Sequence, residues 1–289
     1  MSSLGINVPL TGEVSPDQIA ALGASWVRVV AHPEYDLSAY FEALRARGIR
    51  VLLVLARESG GDYAHHARRY DGLVTAVAVG NEPDADPSSV SSWIMSPYEW
   101  VALGRAVRAL FTRSTVVAGG LVSGQPGWLA GLDLRWASAL CVHPYGKSPD
   151  RRWPHPGWGT GYLGDLLDGY AEYGLPLLVS EIGLSAGEVG EDFQAEYLTR
   201  LGDYFSTRDD VPAWMWFCLS DTMVPEFGLF RVDGSEKPSY WAFKRAAETV
   251  RDFTWPTLPT QPPAPPTSRA TELLDRIEAD LRELRALVG

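Results

Sequence analysis

The sequence contains no run of eighteen apolar residues, only two cysteines and an excess of acidic over basic side chains. The missing apolar run argues against a transmembrane helix. The first eight residues have neither the basic segment nor the apolar segment of a signal peptide. We therefore expect no membrane partner. The compartment stays open, since the chain is cytoplasmic, phage-associated or freed of its signal.

The cysteines, the charge and the histidines limit the function further. Cys141 and Cys218 lie in different predicted strands, and we expect two buried free thiols. The net charge of −11 argues against a nucleic-acid partner, whose phosphates would be repelled. No glycine-rich phosphate loop follows the first predicted strand, and we expect no cofactor. We expect His65 and His66 to be solvated, because no ligand spacing accompanies them, and we expect no metal.

The chain does contain a regular alternation of strand-type and helix-type segments. Capping boxes at Ser15 and Ser96 open two of the predicted helices. The eight predicted strands cover residues 4–8, 25–31, 50–56, 74–80, 115–118, 139–143, 177–180 and 213–219. Eight such units over about 250 residues predict an α/β fold of the (β/α)₈ TIM-barrel type in residues 1–254. A doubly wound open sheet is the alternative.

The composition changes after the predicted barrel. Residues 255–269 are rich in proline and should form an extended, semi-rigid linker. Residues 270–289 carry apolar side chains at heptad spacing, which predicts a short coiled-coil helix. A helix this short is marginal alone, so it either self-associates or folds back onto the barrel. We expect self-association, and therefore a homo-oligomer.

Polar and aromatic residues follow most of the predicted strands. Catalytic groups of parallel barrels come from the C-terminal ends of the strands. The candidates at these ends are Asn7, Arg28, Arg57, Asn81, Glu82, His143, Tyr145, Glu181 and Trp216. Trp153 and Trp158 lie in a loop rich in proline and glycine after strand six. These two rings either stack on sugars or pin the loop onto the barrel.

Two of these candidates, Glu82 and Glu181, end strands on opposite sides of the predicted barrel. Retaining glycoside hydrolysis needs two carboxyl groups roughly 5–5.5 Å apart, one to attack and one to protonate the leaving oxygen. We expect Arg28 and Tyr145 to hold Glu181 as an anion. Asn81 would reach the sugar hydroxyl beside the reacting centre, and Trp216 would provide a stacking surface.

Four motifs in this order resemble clan A glycoside hydrolases, which are retaining barrel enzymes. The motifs are Gly80-Asn-Glu-Pro83, His143-Pro-Tyr145, Ser180-Glu-Ile-Gly183 and Trp214-Met-Trp-Phe217. The resemblance spans about residues 1–250 and is nearest to the cellulase-like family 5 and the xylosidase-like family 39. The chain departs from family 5 at the end of strand three, where Arg57-Glu58 replaces a usual histidine.

The resemblance implies a role for each matching residue. Glu82 would be the acid/base, Glu181 the nucleophile and Asn81 the partner of the sugar 2-hydroxyl. The other implied contacts are a hydrogen bond from Tyr145 to the nucleophile, shaping of the site by His143 and Arg28, and lining of the −1 subsite by Trp216. The expected function is cleavage of β-glycosidic bonds in a poly- or oligosaccharide. The alternative is a catalytically weak or dead barrel that serves as a multivalent carbohydrate-binding module.

Overall fold

The computed structural model describes residues 2–9, 14–86, 93–151 and 161–249. In these ranges eight parallel strands pair in chain order, and the eighth pairs with the first. The strands are β1 (Ser3–Asn7), β2 (Trp26–Val30), β3 (Arg50–Leu55), β4 (Ala76–Asn81), β5 (Thr115–Leu121), β6 (Leu140–Val142), β7 (Leu177–Ile182) and β8 (Ala213–Trp216). The sheet is closed, which confirms the predicted barrel and rules out the open sheet.

Helices follow the strands and cover the outside of the barrel. They are α1 (Pro16–Leu22), α2 (Ser38–Ala46), α3 (Tyr63–Tyr70), α4 (Pro97–Leu110), α5 (Leu163–Ala171), α6 (Ala186–Val189), α7 (Glu191–Phe205) and α8 (Pro238–Thr249). Both predicted capping boxes are present, at Ser15 with Gln18 and at Ser96 with Glu99. None of the helices described here has the length and apolar character needed to cross a membrane.

The apolar side chains form two layers, because successive residues of a strand point to opposite faces. The inner layer draws its residues from the strands and their ends, with Trp26, Leu52, Val54, Cys141 and Met215 among its members. The outer layer lies between the strands and the helices, and it is the larger of the two. The barrel interior is therefore packed, and the site has to be built at one of its ends.

The strand ends differ from the predicted ones where glycine or a functional group follows. β5 runs to Leu121 and not to Ala118, because Gly119 and Gly120 continue the pairing and Gly120 lies opposite Asn81. β7 includes Glu181, which was predicted to follow the strand. β6 and β8 are shorter than predicted. The differences of β5, β7 and β8 lie at the C-terminal end of the strand, near the site, whereas β6 is shorter at both ends.

Several predictions concern residues outside the described ranges. These are the linker at 255–269, the heptad helix at 270–289 and the tryptophans Trp153 and Trp158. The two cysteines are described, and both are buried free thiols as predicted. Burial raises the pKa of each thiol to about 12, so both thiols stay protonated at neutral pH.

Candidate active site

Glu181 lies inside β7, and both of its carboxylate oxygens have a strong donor. The Arg28 guanidinium, carried by β2, is 2.6 Å from Oε1. The hydroxyl of Tyr145 donates to Oε2 at 2.7 Å. The Glu181 side chain is only 8% exposed. The guanidinium and the hydroxyl together hold both oxygens of one buried carboxylate in place.

Arg28 is itself held from two sides. It donates to Asn7 Oδ1 at 2.8 Å and to Asn81 Oδ1 at 2.6 Å. The Asn7 amide donates in turn to the carbonyl oxygens of Ser180 and Trp216. Asn7 is buried, so it lies beneath the guanidinium and fixes its position. Arg28 therefore links the strand that carries Glu181 to the strand that ends beside Glu82.

Glu82 lies immediately after β4, at a turn of the backbone. Its φ of 53° is left-handed, a conformation that non-glycine residues adopt rarely. Its N–H donates to Gly120 O at 2.9 Å, which ties the turn to β5. Asp84, two residues on, accepts the backbone N–H groups of Val122 and Ser123. Hydrogen bonds therefore tie the loop that carries Glu82 to β5 and to the two residues that follow β5.

His143 lies between the two glutamates. Its Nδ1 is 3.1 Å from Glu82 Oε1, and its Nε2 is 3.0 Å from Ser180 Oγ and 3.7 Å from Glu181 Oε1. A Cβ atom on Gly120 would come within 2.0 Å of Nε2. β5 therefore contributes space for the imidazole instead of a side chain. This role was not predicted, because Gly119 and Gly120 fell outside the predicted strand, whereas a Gly-Gly pair inside a strand would have indicated a close approach.

The glutamates and the histidine are close enough to be considered as metal ligands. Among the residues described, Glu82, His143 and Glu181 each offer one ligand atom, and these atoms lie within 4.8 Å of one another. A cation at this point would lie beside the guanidinium of Arg28, which already neutralises Glu181. Like charge would oppose such an ion, so the arrangement fits proton transfer and nucleophilic attack better than metal binding.

Tyr145 is half-buried next to Glu181. Its burial, and next the negative charge of Glu181, raise the pKa of the Tyr145 phenol well above its usual value. The phenol therefore stays protonated at neutral and moderately alkaline pH, and it can only donate to the carboxylate. Its ring also lies 6.1 Å from the ring of Phe217.

The structure corrects the placement of Trp216. Met215 faces the barrel interior, so strand alternation directs Trp216 outward. The indole is fully buried, lies 6.4 Å from the ring of Tyr197 on α7 and donates to the carbonyl of Phe227. Trp216 is therefore a core residue and does not line the site. Phe217, the next residue, is half-buried and lies beside Tyr145.

Other sequence-based expectations have mixed outcomes. Arg57 lies in a short 3₁₀ helix after β3 and is exposed, away from the contacts around Glu181. Asp221, which follows β8, accepts from Gly228 N and Lys237 Nζ and thereby orients its loop. The expectation for His66 was wrong. It is buried, with Nε2 2.9 Å from Ser59 O, because α3 turns this side chain inward.

Comparison with known proteins gives matches of structure alone. No protein-family model matches this sequence, and no curated protein matches it. A family 39 glycoside hydrolase from Bacteroides cellulosilyticus WH2 superposes with a TM-score of 0.64 at 20% identity, over 85% of this chain and 63% of that one. This chain thus spans less than two thirds of that hydrolase.

Two further solved structures are similar over most of their length. A GH128 (subgroup I) endo-β-1,3-glucanase from Amycolatopsis mediterranei, in complex with laminarihexaose, has a TM-score of 0.64 at 17% identity, covering 85% of this chain and 99% of that one. A GH5_18 protein from Streptomyces cattleya, in complex with GlcNAc, has a TM-score of 0.60 at 15% identity, covering 86% and 80%. At these identities the likeness concerns the fold. The chain therefore has the same barrel fold as these glycoside hydrolases.

Proposed function

We propose that this protein is a retaining β-glycosidase with Glu181 as nucleophile and Glu82 as acid/base. One observation carries the proposal: two carboxylates at one barrel mouth have oxygens within 4.8 Å of each other and different surroundings. This approach fits the roughly 5–5.5 Å spacing of retaining enzymes better than the 6.5–9.5 Å of inverting ones. The shared fold with glycoside hydrolases supports it.

In the proposed first step Glu181 attacks the anomeric carbon while Glu82 protonates the departing oxygen. Arg28 and Tyr145 hold Glu181 ionised and aimed. The bond from the anomeric carbon to the leaving oxygen breaks as the bond to Glu181 forms. In the second step Glu82, now a carboxylate, takes a proton from water, and that water displaces Glu181. Asn81, held by Arg28, is placed beside Glu82 to meet the 2-hydroxyl.

The similarity to the GH128 structure supports a first choice of substrate class. The GH128 relative is an endo-β-1,3-glucanase bound to laminarihexaose, and this chain covers 99% of its length. We propose β-1,3-glucan as the first substrate to test. The catalytically dead binding module finds no support at the site, because both glutamates and their supporting groups are present.

The test is a hydrolysis screen with detection of the product anomer. Laminarin, cellulose, xylan and mixed-linkage β-glucan are incubated with the full chain, and ¹H NMR records the first anomer released. The expected result is a β-anomer that mutarotates later, with laminarin as the preferred polymer. An α-anomer released first would overturn the retaining mechanism. Binding to these polymers without any released sugar would favour the binding module.

A further inference from the structure

The side chain of Ser180 lies beneath the two glutamates, and the proposed reaction gives it no role. Ser180 belongs to β7 and is buried, with Oγ 3.0 Å from His143 Nε2. The other ring nitrogen, Nδ1, is 3.1 Å from Glu82 Oε1. A continuous chain of polar contacts therefore crosses the barrel from Ser180 through His143 to Glu82.

Cys141 is a neighbour of Ser180 on the adjacent strand. It lies on β6, two residues before His143, and belongs to the inner layer of the barrel, where the Ser180 side chain acts on the pKa of its thiol in the direction opposite to burial. Burial raises the pKa of the thiol to about 12, so the sulfur carries its proton. Sulfur is a weak hydrogen-bond acceptor, whereas an unprotonated imidazole nitrogen is a strong one. Of these two neighbours, His143 Nε2 is the stronger acceptor for the Ser180 hydroxyl proton whenever that nitrogen carries no proton.

An accepting Nε2 determines the state of the whole ring. In a neutral imidazole one nitrogen accepts and the other donates. If Nε2 accepts from Ser180, Nδ1 carries the proton and donates to Glu82 Oε1. We propose that Ser180 is a positioning residue of the acid/base, fixing the neutral His143 tautomer whose Nδ1–H is directed at Glu82. This inference rests on the proposed function of Glu82.

The tautomer matters because Glu82 has to change its protonation state twice in each cycle. An Nδ1–H group donates to Oε1 whether Glu82 is protonated or ionised, so the acid proton is carried on Oε2. The opposite tautomer would turn a nitrogen lone pair toward the carboxylate formed in the first step. That arrangement would oppose departure of the proton.

A charged imidazolium would be harmful in a different way. His143 Nε2 is 3.7 Å from Glu181 Oε1, while Nδ1 contacts Glu82. A positive ring between them would favour the ionised form of both glutamates, and Glu82 would no longer act as an acid. The groups that face the ring are Glu82 from β4, Gly120 from β5, Cys141 and Tyr145 from β6 and its end, Ser180 and Glu181 from β7, and Arg28 behind Glu181.

The first experiment compares leaving groups in Ser180→Ala. Phenyl and 2,4-dinitrophenyl β-laminaribioside are the probes, since only the phenyl leaving group needs protonation by an acid. We expect kcat/KM for the phenyl substrate to fall about tenfold to a hundredfold, with its basic limb displaced to higher pH, because a lone pair on Nδ1 would then face Glu82 and oppose its ionisation. The kcat/KM for the dinitrophenyl substrate should change less than threefold.

Ser180→Thr is the control variant. It keeps the hydroxyl and should recover the phenyl activity and the position of the basic limb. Equal losses on both substrates with an unchanged pH profile would overturn the proposal.

The second experiment observes the tautomer without a substrate. Histidine side-chain ¹⁵N–¹H correlation spectra are recorded on the full chain, which has five histidines. The His143 signals are assigned by their loss in His143→Asn. We expect Nδ1 protonated and Nε2 unprotonated in the wild type, and a protonated Nε2 in Ser180→Ala. A wild-type Nε2–H would overturn the inference even if the protein is an active glycosidase. The expected tautomer in an inactive protein would instead refute the proposed function alone.

Discussion

The environments of Glu181 and Glu82 differ although both residues lie at the same barrel mouth. Glu181 is inside a strand, with a guanidinium and a phenol on its two oxygens. Glu82 is beyond its strand, in a left-handed turn, with an imidazole against Oε1 and a more exposed side chain, 12% against 8%. Fixed donors suit a group that stays ionised, whereas an imidazole can serve a group that gains and loses a proton. This difference assigns the proposed roles, and substitutions can test it.

The strongest test removes the charge of Glu181. Glu181→Gln should lower kcat/KM by about 10⁴-fold or more on every substrate, as losses of a nucleophile do in other enzymes. The loss should not depend on the leaving group, because the attacking atom itself is gone. Glu172→Gln, at an exposed position after α5, is the matched control and should retain wild-type rates. Retained activity in Glu181→Gln would refute its assignment as nucleophile.

Glu82→Gln, unlike Glu181→Gln, should lose activity to a degree that depends on the leaving group. General acid catalysis contributes about 10²–10⁴-fold, so cleavage of laminarin or a phenyl glycoside should fall by that amount. The dinitrophenyl substrate should still form the glycosyl-enzyme, visible as a burst of released dinitrophenol before slow turnover. If both leaving groups lost the same factor, the distinction between the two glutamates would fail.

Gly120→Ala displaces the imidazole that contacts Glu82. The added Cβ would meet His143 Nε2 at 2.0 Å and push the ring away from Glu82. A misplacement of about 1 Å costs on the order of 10²-fold in rate. Overpacking should also destabilise the fold by about 1–3 kcal/mol, measured by denaturant unfolding. Gly127→Ala is the control, because nothing lies within 4 Å of its added Cβ. Wild-type rates in Gly120→Ala would show that the ring position is unimportant.

Tyr145→Phe tests the Glu181 half with a smaller change. One hydrogen bond to a charged group is worth about 1.5–3 kcal/mol, so kcat/KM should fall about tenfold to a hundredfold. The pKa of the Tyr145 phenol is raised well above its ordinary value, so the donor is present below that pKa and lost only at pH above the usual range. Its ionisation therefore does not produce the basic limb. Tyr145→Phe should leave that limb in place, and a displaced limb would contradict this reasoning.

The smallest expected effects separate Trp216 from Phe217, whose side chains have different surroundings. Trp216→Phe should destabilise the protein by about 1–3 kcal/mol through lost packing, with an unchanged KM. Phe217→Leu should instead raise KM a few-fold, because this ring lies beside Tyr145 on the Glu181 side. Thermal unfolding and laminarin kinetics measure the two effects. An increase of KM in Trp216→Phe would return that residue to the site.

Much of the fold could be predicted from the sequence, because the patterns that indicate strands and helices are local. Apolar runs, capping boxes at Ser15 and Ser96, and the count of eight units predicted the barrel and its helices. The strand-end rule also predicted that Arg28 and Tyr145 would contact Glu181, and both do. The rule succeeds because parallel strands bring their C-terminal ends to a single edge.

The face of a strand near its end was harder to predict. Trp216 and Phe217 are adjacent, and the sequence offered no register with which to choose between them. The difference in their surroundings depends on which face of β8 meets α7. The role of Gly120 was hidden for a related reason, since a residue without a side chain gives no chemical signal of what fills its space.

The sequence by itself determined the barrel, the two glutamates and their position at the strand ends, because periodicity and chain order are local properties. Tertiary structure alone decided which groups meet across the barrel: His143 between the glutamates, Ser180 against its Nε2, and Asn7 beneath Arg28. These contacts join strands far apart in the chain. Their distances depend on the closure and register of the whole sheet, which no single segment encodes.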